Sequence, residues 1–257
     1  MAGYIAKIHQ KDLSLELRGW KDVMKHPYKA EWVQAAKVEW QKLLEKNTFE
    51  VVDCSVVKTK PISFTWIFRY KIDENGYLKS FKSCICIRRD LQPPLDKDTY
   101  AVTFASKSLC ILQAFITCWD LKARQLDAVN VFPNIKLDEV VYIELFDGFK
   151  IQEKIALLLQ ALYSLRRSPL LWQRLLIETF TTLGLQPVPD KPYIMINDWL
   201  IVFFFVDDII YIYRVIDEPR IDDFRTKLIQ RFKIRDLGET IWFLNIKIIR
   251  NRPQRKL

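Results

Sequence analysis

Histidine is nearly missing from this chain: His9 and His26 are the two in 257 residues. So few imidazoles disfavour Ser-His-Asp hydrolases and zinc enzymes, whose chemistry depends on that ring. Cysteine is also sparse. Cys54, Cys84, Cys86, Cys110 and Cys118 are odd in number and lack paired metal-type spacing. That pattern suits reduced thiols in an intracellular protein rather than a disulfide framework. Glycine (6) and proline (11) are few, while 28% of residues are charged, which excludes fibrous and disordered chains. Long hydrophobic runs are lacking too. The most apolar stretch, Leu200–Tyr213, is shorter than the roughly 20 residues of a membrane span and holds two acids at its centre. Met1–Gln10 has no apolar segment of signal-peptide type. Acidic residues are outnumbered 31 to 40, giving a net charge of +9. That surplus suits a polyanionic partner, nucleic acid first and an anionic membrane second; the alternative is a merely basic soluble protein.

What is present is enough apolar material, 50%, to build one large domain or two small ones. Met1–Lys25 carries little periodic signal and reads as a leader or linker, with the domain proper over 26–257. Trp32, Ala35, Ala36, Trp40, Leu43 and Leu44 fall near helical spacing and predict a helix over Lys29–Lys46, followed by a short strand at Phe49–Val52. Phe64–Ile72 and Tyr77–Ile87 read as a hairpin closed by Asp73-Glu74-Asn75-Gly76. Its Arg69, Lys71, Lys79, Lys82, Arg88 and Arg89 form either a phosphate-binding ribbon or a solvated, charge-protected edge. Arg89–Tyr100 reads as loop. Phe104–Cys118 predicts a helix, Trp119–Leu126 a strand, Val141–Leu145 a strand and Ile155–Leu165 a helix. Ser168-Pro169 opens a helix that runs to about Leu183, with Gly184 as C-cap. Asp217–Phe232 is an amphipathic helix and Thr240–Arg250 a last strand. Helices and strands interleave without a regular βαβ repeat, which makes the fold class α+β.

The central stretch is Trp199–Tyr213, WLIVFFFVDDIIYIY. Its β-branched and aromatic residues favour strand, and buried charge in such a run is costly unless paired or metal-bound. The simplest geometry is a hairpin of Leu200–Phe205 and Ile209–Tyr213, turning at Val206-Asp207-Asp208. The bland alternative is an ordinary polar turn. Asp127 ends the predicted strand Trp119–Leu126, or else caps a helix starting at Ala128. If the two strands are neighbours, three carboxylates converge at one sheet edge, a cluster that divalent cations would neutralise. Hard oxygen ligands suit Mg²⁺ or Mn²⁺, and two such ions can clamp an in-line phosphoryl displacement. A basic chain with a carboxylate cluster and few histidines points to polynucleotide phosphoryl transfer.

Read together, QLDAVNVF (Gln125–Phe132) and FFFVDDIIY (Phe203–Tyr211) resemble the two carboxylate motifs of copia-type retrotransposon reverse transcriptases. Further blocks occur in the matching order: HPYKAEWVQAAKVEWQKLLEKNTFEVV, TWIFRYKIDENGYLKSFKS, DTYAVTF, LDEVVYIELFDGF, ALYSLRRSPLLW, RFKIRDLGE and WFLNIKIIRNR. The resemblance covers about residues 26 to 252. It implies a right-hand polymerase with fingers and an antiparallel palm sheet, acting on an RNA or DNA template-primer and deoxynucleoside triphosphates. It implies that Asp127, Asp207 and Asp208 hold Mg²⁺, with Asp127 and Asp207 on both ions and Asp208 adjacent. It makes Phe132 the residue that screens the sugar 2′ position and Lys82 a basic fingers residue near the triphosphate. The chain ends at Leu257, just beyond the palm of that fold, so a thumb and an RNase H domain are expected to be absent.

The sequence departs from the family pattern at several positions. Cys84 stands where a phosphate-binding Arg is usual, and Arg89 where a Gly is usual. Pro133 follows Phe132 on what would be a helical turn, where a proline kinks the chain. Ser164 and Asn245 replace glycines, and Phe146 replaces a Pro. The core pattern and the aspartates survive while turn glycines and a clamp are lost. That keeps a second reading beside the first: a catalytically inactive relic of an element, binding nucleic acid at most.

Overall fold

The computed structural model of the protein describes residues 8–14, 17–57, 59–93, 101, 106–129, 131–244 and 246–256. In chain order the elements are α1 (Trp20–Lys25), α2 (Lys29–Glu45), β1 (Phe49–Asp53), β2 (Phe64–Ile72), β3 (Leu78–Ile87), α3 (Ser106–Cys118), β4 (Lys122–Ala128), β5 (Lys136–Ile143) and β6 (Lys154–Gln160). Then follow α4 (Ser168–Thr182), β7 (Gln186–Val188), β8 (Lys191–Ile196), β9 (Leu200–Phe205), β10 (Asp208–Tyr213), α5 (Glu218–Arg231), β11 (Ile234–Glu239), β12 (Trp242–Phe243) and β13 (Ile246–Lys247). They group into two compact units, Met1–Asp96 with Phe132–Ser168, and Lys97–Val131 with Pro169–Leu257. Helices lie among antiparallel sheets, as the α+β reading expected. No helix among the described residues is long and apolar enough to cross a membrane.

In the first unit α2 buries Trp32, Ala36 and Leu43, which recur at helical spacing on one face. Trp32 meets Phe68 at 5.4 Å and Phe81 at 4.7 Å, both edge-on, so the helix is anchored on the β2–β3 hairpin. The hairpin turn forms as its Asn-Gly signal predicts. The Asp73 carboxylate accepts from the N–H groups of Asn75 and Tyr77, and Gly76 sits at φ +83°. The second sheet runs in the order β1-β6-β5, antiparallel throughout. Its central strand, β6, overturns the helix expected over Ile155–Leu165. KIALLLQ is a continuous apolar run, and periodicity cannot separate a buried central strand from a buried helix. Pairing on both sides decides for strand.

Within the stretch read as leader or linker, Met1–Lys25, some of the described residues are packed. Val23 is fully buried, and Trp20 packs on Trp66 and Phe149. The chain around Ile8–Gln10 runs beside the hairpin turn, with Leu78 N–H donating to Ile8 O and Gln10 N–H to Gly76 O, both at 2.8 Å. Isolated apolar residues give no periodic signal, yet tertiary contacts bury them.

In the second unit one antiparallel sheet runs β11-β4-β10-β9-β8-β7. Alternation along the strands divides it into two faces. One face carries Phe204 and Tyr211, covered by Phe180 of α4 at 5.8 Å and Phe224 of α5 at 6.1 Å. The other carries Gln125, Asp127 and Asp208 toward the β9–β10 turn. The strand expected over Trp119–Leu126 begins later, at Lys122, because α3 continues to Cys118 and the chain turns through Asp120 at φ +48°. The single strand expected over Thr240–Arg250 is broken into the β12–β13 hairpin, with Leu244 at φ +49°. Asn245, one of the departures from the family pattern, lies outside the described residues.

Candidate functional site

The β9–β10 hairpin turns more tightly than the sequence suggested. Phe205 and Asp208 are register partners, so the loop is two residues, Val206-Asp207, and Asp208 belongs to the strand. Val206 has φ +53°, a backbone that a β-branched residue rarely adopts. It is held there from two sides. Trp172 of α4 donates its Nε1–H to Val206 O at 2.5 Å, and Ala128 N–H donates to Asp207 O at 2.8 Å. The tip is thereby tied to both α4 and the end of β4.

This pairing sets the order of the acids. Asp208 faces Asp127 directly across β10 and β4, while Asp207 sits exposed in the turn. On the far side of β4 the partner of Asp127 is Arg235 of β11. Arg235, Asp127 and Asp208 therefore form one rung across three strands. The Asp127 Oδ2 accepts from Arg235 Nε at 2.8 Å and from its Nη2. The Asp208 Oδ1 accepts from Gln125 Nε2 at 2.8 Å, and Gln125 is itself buried. Burial pushes the Asp208 carboxyl above the usual range. The Gln125 hydrogen bond opposes that shift, and the charges of Asp207 and Asp127 add to it. Among the described residues no three His, Cys, Asp or Glu side chains are gathered closely enough to hold a metal ion by themselves.

The other sequence-singled residues belong to the first unit. Phe132 opens a single 3₁₀ turn, Phe132–Asn134, and is buried edge-on against Tyr163 at 4.9 Å. Pro133 kinks no helix, because that turn is all the helix there is. It is closed by Ile135 N–H donating to Phe132 O, so the missing proline N–H costs nothing. Lys82 is exposed on β3 directly opposite Arg69 of β2, near the half-buried Glu39 of α2. Cys84 lies two residues on, its thiol pushed up by burial, then by the Glu39 charge. Arg89 needs no glycine-like backbone, since it starts a 3₁₀ turn. Phe146 has entered the aromatic core, edge-on to Phe64 at 4.5 Å and to Trp40 at 4.9 Å.

Two carboxylates thus face each other at the ends of the interior strands β4 and β10, with a third in the adjoining turn. Residues 46–257 match the model of the family described as reverse transcriptase (RNA-dependent DNA polymerase). The chain belongs to the reverse transcriptase family. It is 25% identical over 247 residues to the retrovirus-related Pol polyprotein from transposon TNT 1-94 of Nicotiana tabacum, an alignment covering 92% of this chain and 18% of that protein. It is 24% identical over 225 residues to the retrovirus-related Pol polyprotein from transposon RE2 of Arabidopsis thaliana, covering 84% of this chain and 15% of that one. The chain thus spans less than a fifth of these relatives, and the copia-type resemblance of its motifs holds.

Two residues of this reverse transcriptase domain escaped the sequence reading, Gln125 and Arg235. Gln125 was within reach: it lies two residues before Asp127, hence on the same face of any strand. Arg235 lies in IRDLGE, whose Asp, Gly and Glu hide a strand by composition. Only the β11–β4 register brings it to Asp127.

Proposed function

We propose that this domain adds deoxynucleotides to a primer 3′-OH under the direction of a template, with its second unit as the palm and its first as the fingers. One observation carries the reading: Asp127 and Asp208 are register partners at the end of neighbouring antiparallel strands, with Asp207 in the adjoining two-residue turn. The donor set suits Mg²⁺, whose shell needs only one or two carboxylates when waters and substrate phosphates complete it. Asp127 and Asp208 would hold the ion, with Asp207 beside them. Bound there, Mg²⁺ would lower the pKa of the attacking hydroxyl and neutralise charge on the leaving phosphate. The chain's own part is positioning. Trp172 and Ala128 fix the turn, and Gln125 orients the Asp208 carboxylate. The basic hairpin around Arg69 and Lys82 would meet the phosphates of the nucleotide or template, and Phe132 would bound the sugar. The sequence reading gave Asp207 the larger metal role; the register favours Asp208 for it.

Primer extension on poly(rA)/oligo(dT) with Mg²⁺ or Mn²⁺ tests this, with Asp127→Asn, Asp207→Asn and Asp208→Asn beside the unaltered chain. Extension that the Asp127 and Asp208 variants abolish supports the reading. A second reading, nucleic-acid binding without synthesis, is favoured by Arg235 seated on Asp127 and by Cys84 in place of a phosphate-binding arginine. Salt-sensitive RNA binding by a folded chain that extends no primer would decide for it.

A further inference from the structure

We propose that Arg235 is a displaceable counter-cation of the palm carboxylates. Its guanidinium holds Asp127 while no divalent ion is bound, and swings into solvent when one binds. The proposal rests on the metal-site reading given above and adds to it what the ion must displace.

Register is the first argument. Arg235, Asp127 and Asp208 are consecutive on one rung. Partners on a rung point the same way with Cβ atoms about 4.5–5.5 Å apart. A long cationic side chain beside Asp127 therefore shares the face on which a divalent ion would sit. Occupancy is the second. Two guanidinium N–H groups, on Nε and Nη2, donate to the same oxygen, Asp127 Oδ2. Those donors use lone pairs through which that oxygen would ligate a metal ion.

Exposure is the third argument, and it says which partner moves. The Asp127 side chain is 18% exposed, that of Arg235 68%. Asp127 is embedded in the sheet, whereas the guanidinium can leave without burying or stranding a charge. Gln125 makes the contrast. It is 6% exposed, neutral, and bonded to Asp208, so it orients a carboxylate without competing electrostatically for the ion. One carboxylate of the rung thus has a fixed neutral support and the other a mobile cation. Without a divalent ion the pairing relieves the mutual repulsion of the acids. With one bound, a second cation on the same oxygen would be repelled.

Mn²⁺ titration of the folded chain, read from the loss of the free-ion electron paramagnetic resonance signal, tests this without any turnover. Arg235→Met and Arg235→Gln both remove the cation, and Gln keeps hydrogen-bonding reach. Both should bind Mn²⁺ tighter than the unaltered chain, by about twofold to fivefold for a largely exposed ion pair, while Arg235→Lys stays near the unaltered value. Asp127→Asn should lose most of the affinity. Unchanged or weaker binding in both neutral variants, with the unaltered chain binding, would overturn the proposal and make Arg235 a fixed support of Asp127. Folded chains that all fail to bind Mn²⁺, or an Asp127→Asn chain that binds as well as the unaltered one, would overturn the metal-site reading and this proposal with it.

Discussion

Ser164 stands at φ +70°, where a side chain with a Cβ costs about 1–2 kcal/mol. The family resemblance puts a glycine there, and the structure gives the reason. Ser164→Gly should therefore raise stability by about 1 kcal/mol, measured by urea unfolding. The hydrogen bond between Ser164 and the Cys86 thiol offsets part of the gain. Arg89 and Pro133 behave differently, since neither backbone is left-handed, and reverting them should bring no comparable gain. Glu39 supplies a pH signature. Burial is the main cause that raises its carboxyl, against the lowering charges of Lys42, Lys82 and Lys46. A raised carboxyl disfavours the fold once it ionises, and the penalty is absent below the free glutamate value of about 4.3. Glu39→Gln should raise the thermal midpoint at pH 7.5, and the difference should vanish as pH falls below about 4. A difference independent of pH would mean that packing, not charge, is what the substitution changes.

At the scale of elements, several ends are held by side chains from far along the sequence. The C-terminal end of α3 is the clearest case. Arg250 donates to Leu121 O at 2.5 Å, to Ile116 O at 2.7 Å and to the Asp120 carboxylate at 2.9 Å. Arg252 donates to Asp120 Oδ1 and to its carbonyl, and Arg255 to Cys118 O. Cations at a helix C-terminus satisfy its last carbonyls and oppose its dipole. Arg250 is 10% exposed in its side chain and carries a three-way set of bonds. Arg250→Ala should cost about 2 kcal/mol, and Arg250→Lys should restore little, because the planar fork is what reaches three acceptors. Arg255→Ala, which breaks one exposed bond, should stay within about 0.5 kcal/mol in the same denaturation series. The β9–β10 hairpin shows the same logic beside the candidate site. An unfavourable backbone at Val206 persists because Trp172 and Ala128 over-determine it.

For the whole molecule the decisive quantity is the net charge of +9. On the proposed function the domain would meet a nucleic-acid template-primer, and phosphate contacts make such binding fall with salt. Log affinity for single-stranded RNA should fall linearly with log salt. Arg69→Ala and Lys82→Ala, on facing positions of the β2–β3 hairpin, should each flatten that slope by about 0.7. An unchanged slope in both would place the RNA on another basic surface.

How much was legible varied with the kind of signal. Amphipathic α2 and α5, the Asn-Gly hairpin and the start of α4 at Ser168 were readable, because periodicity, turn chemistry and capping are local. The strand β6, the packed segment before Lys25 and the short strands β7, β8 and β11 were not, because neighbours rather than local pattern decide them. The aspartates show the same division. Sequence alone singled out Asp127, Asp207 and Asp208 as candidates, since charge inside apolar strands needs a reason and the ordered motifs offered one. Which acid faces which, and that Arg235 and Gln125 hold them, was decided by strand register. Register is fixed by sheet packing among segments distant in sequence, and no single segment encodes it.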